Sequence, residues 1–230
     1  MSPTAEFRSG WRVLLSAMLG VGLGFPTVPF YTIGIFAPIL AQKFGWSFAS
    51  IFGGLALTPA ALLMGGPLVG YLVDRYGPRR IAAISLAGVG VCYITLAFSS
   101  GSITQYYASW VALTLIGMGS TPIPFTRAVN AAFVRRRGLA LGITMAGVGL
   151  FAFAVKPLGG WALDAAGWRG AIVIIGLLPV LLGAPIVLWG FSSASAGGNR
   201  SGAEVGRSEA PIGGLTMREA LRTRAFWTIS

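Results

Sequence analysis

Two basic residues, Arg127 and Lys156, fall inside otherwise apolar stretches of the chain. Ionisable groups in such surroundings are expensive to keep and default to function. Arg127 lies eight residues before Arg135, which at 1.5 Å per residue puts it about 12 Å inside its helix, beyond easy snorkelling. A guanidinium grips a carboxylate through two parallel hydrogen bonds. The interior offers no obvious acidic partner for it, so the residue points to a small organic anion as ligand. Helical spacing places Ser120, Pro124, Arg127 and Ala131 on one small, partly polar stripe suited to lining a cavity. Lys156 admits two readings. Its stripe of Met145, Gly149, Ala152 and Gly160 could face a cavity or another helix, or the lysine could snorkel to lipid head groups. On the first apolar stretch Gly20, Gly24, Thr27, Tyr31 and Gly34 share a face, with Pro26 and Pro29 able to bend it. Thr27 and Tyr31 could donate hydrogen bonds to an oxyanion, while the glycines equally suit helix packing.

Absent residues narrow the chemistry further. The chain contains no histidine, which excludes a Ser-His dyad and a His-Glu-x-x-His zinc site. It also lacks a Gly-x-x-x-x-Gly-Lys phosphate loop and the paired Asn-Pro-Ala turns of water channels. The expectation is therefore no enzyme, no catalytic residue, no metal and no cofactor. The formal charge of +11 comes from 17 basic residues in short clusters between apolar runs, not from one polar face, so nucleic acid is not an expected partner. Cys92, the single cysteine, cannot form an internal disulfide.

The elements that must hold these residues are membrane helices. With 55% hydrophobic and only 10% charged residues in 230, too little polar surface exists to coat a soluble globule. Apolar runs near 13 to 40, 48 to 72, 81 to 99, 105 to 132, 138 to 163 and 170 to 191 are each long enough to cross about 30 Å of hydrocarbon. The fold class is thus all-α integral membrane, with six transmembrane helices and membrane lipids as surroundings. Thirteen Lys and Arg residues lie in one alternate set of loops and only Lys43 and Arg169 in the other. Basic loops stay in the cytoplasm, which places the N-terminus inside in a multi-pass protein of the bacterial inner (plasma) membrane. Residues 1–191 form the six-helix domain. A cytoplasmic linker over 192–225 follows, rich in Ser, Gly and Ala, with a short amphipathic helix near 216–224 capped by Thr216 and Glu219. Residues 226–230 read as the start of a truncated seventh helix.

Comparison of the chain with itself gives one internal match. Pro67-Leu68-x-Gly70-aromatic-x-x-Asp74-x-x-Gly77-x-Arg79 aligns, 90 residues on, with Pro157-Leu158-x-Gly160-aromatic-x-x-Asp164-x-x-Gly167-x-Arg169. An odd number of crossings separates the copies, so the six helices form a 3+3 inverted repeat, an arrangement that secondary transporters use. Chance similarity between Gly-rich helix ends is the competing explanation.

The segment Gly70 to Arg80 (Gly-Tyr-Leu-Val-Asp-Arg-Tyr-Gly-Pro-Arg-Arg) resembles the loop between helices two and three of the major facilitator superfamily. Phe44-Gly45-Trp46-Ser47, Arg136 to Gly142, Gly167-Trp168-Arg169 and Arg224 to Trp227 are similar to its monocarboxylate and oxalate:formate branch. The helix-five segment Lys156-Pro157-Leu158-Gly159-Gly160 keeps only part of the family pattern. The resemblance implies a secondary transporter of a small organic anion such as a monocarboxylate or dicarboxylate, working by alternating access and completed by a further six-helix half. It also implies that helices one and four line the path, so that Arg127, Tyr31, Thr27, Ser120 and Lys156 face substrate. By the same resemblance Gly70, Asp74, Arg75, Gly77, Arg79 and Arg80 form a latch, with Asp164, Gly167 and Arg169 as its repeat counterpart. A plain positive-inside anchor would use the same basic residues. A truncated or inert six-helix membrane protein and an anion channel are the alternative functions.

Overall fold

The computed structural model describes residues 3–25 and 27–191. The linker and seventh-helix expectations fall outside them. The described residues are helical with no strand, as a chain in lipid requires, since every buried backbone group must find its partner internally. The helices are α1 (Pro3–Leu23), α2 (Thr27–Phe44), α3 (Phe48–Ala56), α4 (Thr58–Tyr76), α5 (Pro78–Thr95), α6 (Ile103–Gly117), α7 (Pro122–Ala132), α8 (Arg137–Leu178) and α9 (Ala184–Gly190).

Local sequence explains where they start and stop. Proline stands in the first turn of α4, α5 and α7, where its missing N–H costs nothing. The Ser47 and Ser102 hydroxyls accept from the amides of Ser50 and Gln105 to cap α3 and α6. Gly77 (φ 82°) turns α4 into α5, and Gly167 (φ 66°) breaks the long α8, both in the left-handed region that favours glycine. The turn from α7 into α8 has no such glycine. There the Glu6 carboxylate accepts from the amides of Val134 (2.5 Å), Arg135 (3.1 Å) and Arg136 (3.2 Å), supplying a cap from the far N-terminal end of the chain.

Contacts sort the turns into two ends of the bundle. At one end sit Glu6, the Gly77 turn, the 133–136 turn and the end of α9, where Arg79 meets Leu188. At the other, the Phe44 ring packs on Trp46 and Trp168, a side chain at Gly101 would touch Phe44, and Arg169 meets Ala97.

Among the described residues four helical stretches are long and apolar enough to cross a membrane: Glu6–Phe44, Phe48–Tyr76, Pro78–Phe98 and Arg137–Gly190. The expected span over 105 to 132 is not one of them. It is split by a 3₁₀ turn at Met118–Ser120 and by an extended Thr121 (ψ 169°) ahead of Pro122. The two C-terminal spans of the sequence reading share the last stretch, divided by Gly167.

The core is built from fully buried Phe25, Phe125, Phe133 and Phe191 with Ile51, Leu86 and Leu113. Buried hydroxyls bond to helix carbonyls: Thr114 to Trp110, Thr144 to Ala140, Ser16 to Ile186 across α1 and α9, and Ser85 to Ile116 across α5 and α6. Large apolar side chains such as Leu63, Met64 and Phe153 are more than four-fifths exposed, the inside-out pattern that lipid tolerates and water does not. The backbones cross closely where α1 meets α8: a Cβ added to Gly147 would lie 1.9 Å from the Met18 carbonyl oxygen.

Gly147→Ala should therefore push α1 off α8 and destabilise the bundle by about 1–3 kcal/mol. Gly142→Ala, where a Cβ meets nothing within 4 Å, should be neutral. Thermal unfolding of both variants in detergent checks the contrast.

Candidate functional site

Three groups of residues can act, and the helix ends position two of them. At the end of α4 the Asp74 carboxylate pairs with the Arg127 guanidinium of α7. The expectation that Arg127 has no acidic partner is thus corrected. The residues are 53 apart in sequence and meet because α4 packs on α6 and on the 3₁₀ turn ahead of α7. Both side chains are about half exposed, 47% for Arg127 and 62% for Asp74, so the described helices do not enclose the pair. Beside it, Arg75 donates to the Tyr71 hydroxyl (2.7 Å) and lies over the Tyr71 and Tyr76 rings.

Arg79 reaches across to α9, donating from Nε (3.1 Å) and Nη2 (2.8 Å) to the Leu188 carbonyl. A cation on the last carbonyls of a helix satisfies orphan acceptors and suits the helix dipole. Arg80 is exposed. Gly70, expected to permit close helix approach, does not do so here: a Cβ there would meet nothing within 4 Å, because this face of α4 is open. Gly77 does make the expected tight turn.

The second group repeats this chemistry at the opposite end. Gly167 breaks α8, and Arg169, two residues on, donates from Nε to the Ala97 carbonyl (3.0 Å) at the end of the α5 segment. Arg169 and Lys43 both lie over the Trp168 ring. Asp164 is exposed, with no ion-pair partner among the described residues.

The third group lines a cavity of about 460 Å³ walled by Val21, Thr27, Phe30, Tyr31, Pro122 and Val148. It lies between the α1–α2 break, the start of α7 and the first half of α8. Thr27 and Tyr31 were legible from sequence; Val21, Phe30, Pro122 and Val148 were not, since apolar wall residues look like any other apolar residue. Tyr31 is 45% exposed, and its hydroxyl has no hydrogen-bond partner among the described residues. The Thr27 hydroxyl donates to the Val21 carbonyl (2.8 Å), leaving its methyl for the cavity.

Ser120 does not lie on an Arg127 stripe. The 3₁₀ turn and extended Thr121 interrupt the helical periodicity, and Ser120 is fully buried, accepting from the Phe25 amide (3.0 Å) and donating to the Gly117 carbonyl (2.8 Å). It therefore stitches the break after α1 to the break before α7. Gly20 and Gly24 serve the same packing, against Phe125 and the Ser120 carbonyl, whereas Gly34 faces open space. Lys156 is exposed on α8, eight residues and so about 12 Å beyond Val148. With no carboxylate, thiol or imidazole among the described wall residues, the cavity is suited to binding, not bond making.

A family model described as Major Facilitator Superfamily matches residues 14–230. The chain belongs to the Major Facilitator Superfamily. Curated relatives include monocarboxylate transporter 13 of Bos taurus, 31% identical over 75% of this chain and 40% of that protein. Monocarboxylate transporter 6 of Mus musculus is 32% identical over 75% of this chain and 36% of its own length. Monocarboxylate transporter 2 of Homo sapiens is 28% identical over 74% and 35%. The chain thus spans about two-fifths or less of the facilitator relatives it matches. Membership makes it a multi-pass membrane protein of a transporter family and not an enzyme.

A double-mutant cycle on Asp74→Asn and Arg127→Gln should return a coupling of about 0.2–1 kcal/mol in thermal unfolding, the range for solvated pairs. A coupling near zero would mean that the pair adds nothing to the stability of the folded protein.

Proposed function

We propose that this chain forms a six-helix half of a secondary transporter for a small organic anion, a monocarboxylate by kinship with its relatives, working by alternating access. The observation that carries the reading is the reciprocal pair of arginine clasps. Arg79, in the first set of three helices, holds the last carbonyls of the second set at Leu188. Arg169, its counterpart in the second set, holds the last carbonyls of the first at Ala97. Shifted by the 90-residue repeat, Ala97 corresponds to residue 187, one short of Leu188. The π turn over Pro179–Gly183 accounts for that extra residue, since such bulges insert one position into a helix. Both copies thus use the same turn for the same contact at opposite ends, which supports a 3+3 inverted repeat and six crossings.

Alternating access requires each end to open and close in turn. Half-exposed contacts of modest strength at the two ends are suited to that. In this reading the Gly77 turn, with Asp74, Arg75, Arg79 and Arg80, is the cytoplasmic latch, and Asp164, Gly167 and Arg169 form its external counterpart. Arg127 holds Asp74 in the present conformation and becomes available to an anion when α4 and α7 separate. Tyr31 offers the free hydroxyl, Thr27 and Ser120 shape the broken helices around it, and Lys156 supplies positive charge farther out along α8. The described end holding Arg8, Arg12, Arg75, Arg79, Arg80, Arg135, Arg136 and Arg137 faces the cytoplasm of a plasma membrane by the positive-inside rule. A second six-helix half completes the path, in keeping with the greater length of the relatives.

The test is uptake into proteoliposomes by the protein expressed from its complete gene. Labelled monocarboxylate should enter saturably and show counterflow, and Arg127→Ala should lower uptake at least tenfold without lowering membrane insertion. Non-saturating conductance would indicate a channel, no flux an inert bundle, and undiminished uptake by the Arg127 variant would remove that residue from the anion path.

A further inference from the structure

A second and smaller cavity lies inside the bundle, lined by none of the residues of the first. Phe36 of α2 and Ile172 of α8 are part of its apolar wall, and its polar lining is Tyr93 of α5, Ser99, and Tyr106 and Trp110 of α6. None of these four polar side chains is more than 3% exposed, so bulk solvent does not satisfy them. The Trp110 indole is packed against α3, where a Cβ added to Gly54 would lie 2.6 Å from Cδ1. The Tyr106 ring stands edge-on to it, with centroids 6.2 Å apart. Even so, the indole N–H has no hydrogen-bond partner among the described residues. Buried donors left in that condition are few in native proteins.

The neighbouring hydroxyls show what would satisfy it. Each has one hydrogen to give. Thr32 gives its own to the Val28 carbonyl (2.6 Å), so the Tyr93 hydroxyl is the donor in its 2.5 Å bond to Thr32 Oγ1. Tyr106 donates to the Ile51 carbonyl (3.0 Å) and Ser99 to the Leu96 carbonyl (2.8 Å). Every hydroxyl hydrogen of the lining is thereby spent, which leaves oxygen lone pairs and a single unused donor, the indole N–H. A cation would meet that N–H and no carboxylate, and an anion would find one donor. Only a group that both accepts and donates suits the set. The cavity measures about 30 Å³, where a water needs about 10–15 Å³ and a small-molecule site has at least about 300 Å³.

We propose that this cavity is a binding site for one ordered water, which accepts from Trp110 Nε1 and donates to the Tyr93 and Tyr106 oxygens. Three hydrogen bonds are the usual complement of a buried water. Tyr93 already ties α5 to α2, and Tyr106 ties α6 to α3. The water joins these two clasps into one network across four helices, so that α2, α3, α5 and α6 are held together by polar contacts away from the Asp74–Arg127 pair.

The test is a crystal structure of the full protein in a map sharp enough to show other ordered waters. A peak should stand about 2.7–3.2 Å from Trp110 Nε1, and a crystal held under xenon should show no xenon there, because xenon enters cavities that are dry and apolar. Trp110→Phe keeps an aromatic ring and removes the donor, and the peak should fall to half its occupancy or less. Absence of the peak in the parent protein, xenon in its place, or an undiminished peak in the Trp110→Phe protein would each overturn the inference. If that variant does not fold, the parent map and the xenon map decide the matter without it.

Discussion

The architecture depends on one constraint, that a backbone polar group inside an apolar medium must find its partner within the protein. Helices satisfy this everywhere except at their ends and breaks, and those are the places where this molecule concentrates its polar side chains. Arg79 and Arg169 answer the last carbonyls of α9 and of the α5 segment. Glu6 answers three amides ahead of α8, and Ser120 answers the Phe25 amide where α1 gives way to α2. Each of these joins parts of the chain that are distant in sequence, so the groups that cap helices also fix how the helices sit together.

That arrangement links packing to function. Caps buried in a core would lock the bundle, but the Asp74–Arg127 pair is half exposed, and surface ion pairs contribute little net stability. One end of the bundle thus includes an ion pair weak enough to exchange, while its middle is held by close glycine crossings such as Gly22 and Gly147 and by buried aromatic rings. A close-packed middle with an exchangeable pair at one end is compatible with the proposed opening to one side at a time.

The sequence made the membrane setting, the helical class and the family legible, because hydropathy and the Gly70 to Arg80 segment are properties of single residues and short spacings. It also carried an internal match 90 residues apart, whose two glycine turns do occur. Where it misled, a contact or a break intervened that local spacing cannot register. The Ser120–Arg127 stripe assumed an unbroken helix, and Met118 to Thr121 interrupts it. Local spacing gives Arg127 no partner, because Asp74 comes near only when α4 packs on α6 and on the turn ahead of α7. Nothing in local spacing marks Glu6, which caps α8 from the other end of the chain. The apolar cavity wall carries no signature at all, since Val21, Phe30, Pro122 and Val148 differ from core residues only in what they face.

Sidedness of the two glycine turns is the most direct measure of the central claim. Cysteines placed at the exposed positions Tyr76 and Ala166, in a Cys92→Ser background, can be treated in intact cells with a membrane-impermeant thiol reagent. The account predicts that the Ala166→Cys protein is labelled from outside and the Tyr76→Cys protein only after permeabilisation. Labelling of both from the same side would contradict the inverted repeat and, with it, the reciprocal clasps at opposite faces of the membrane.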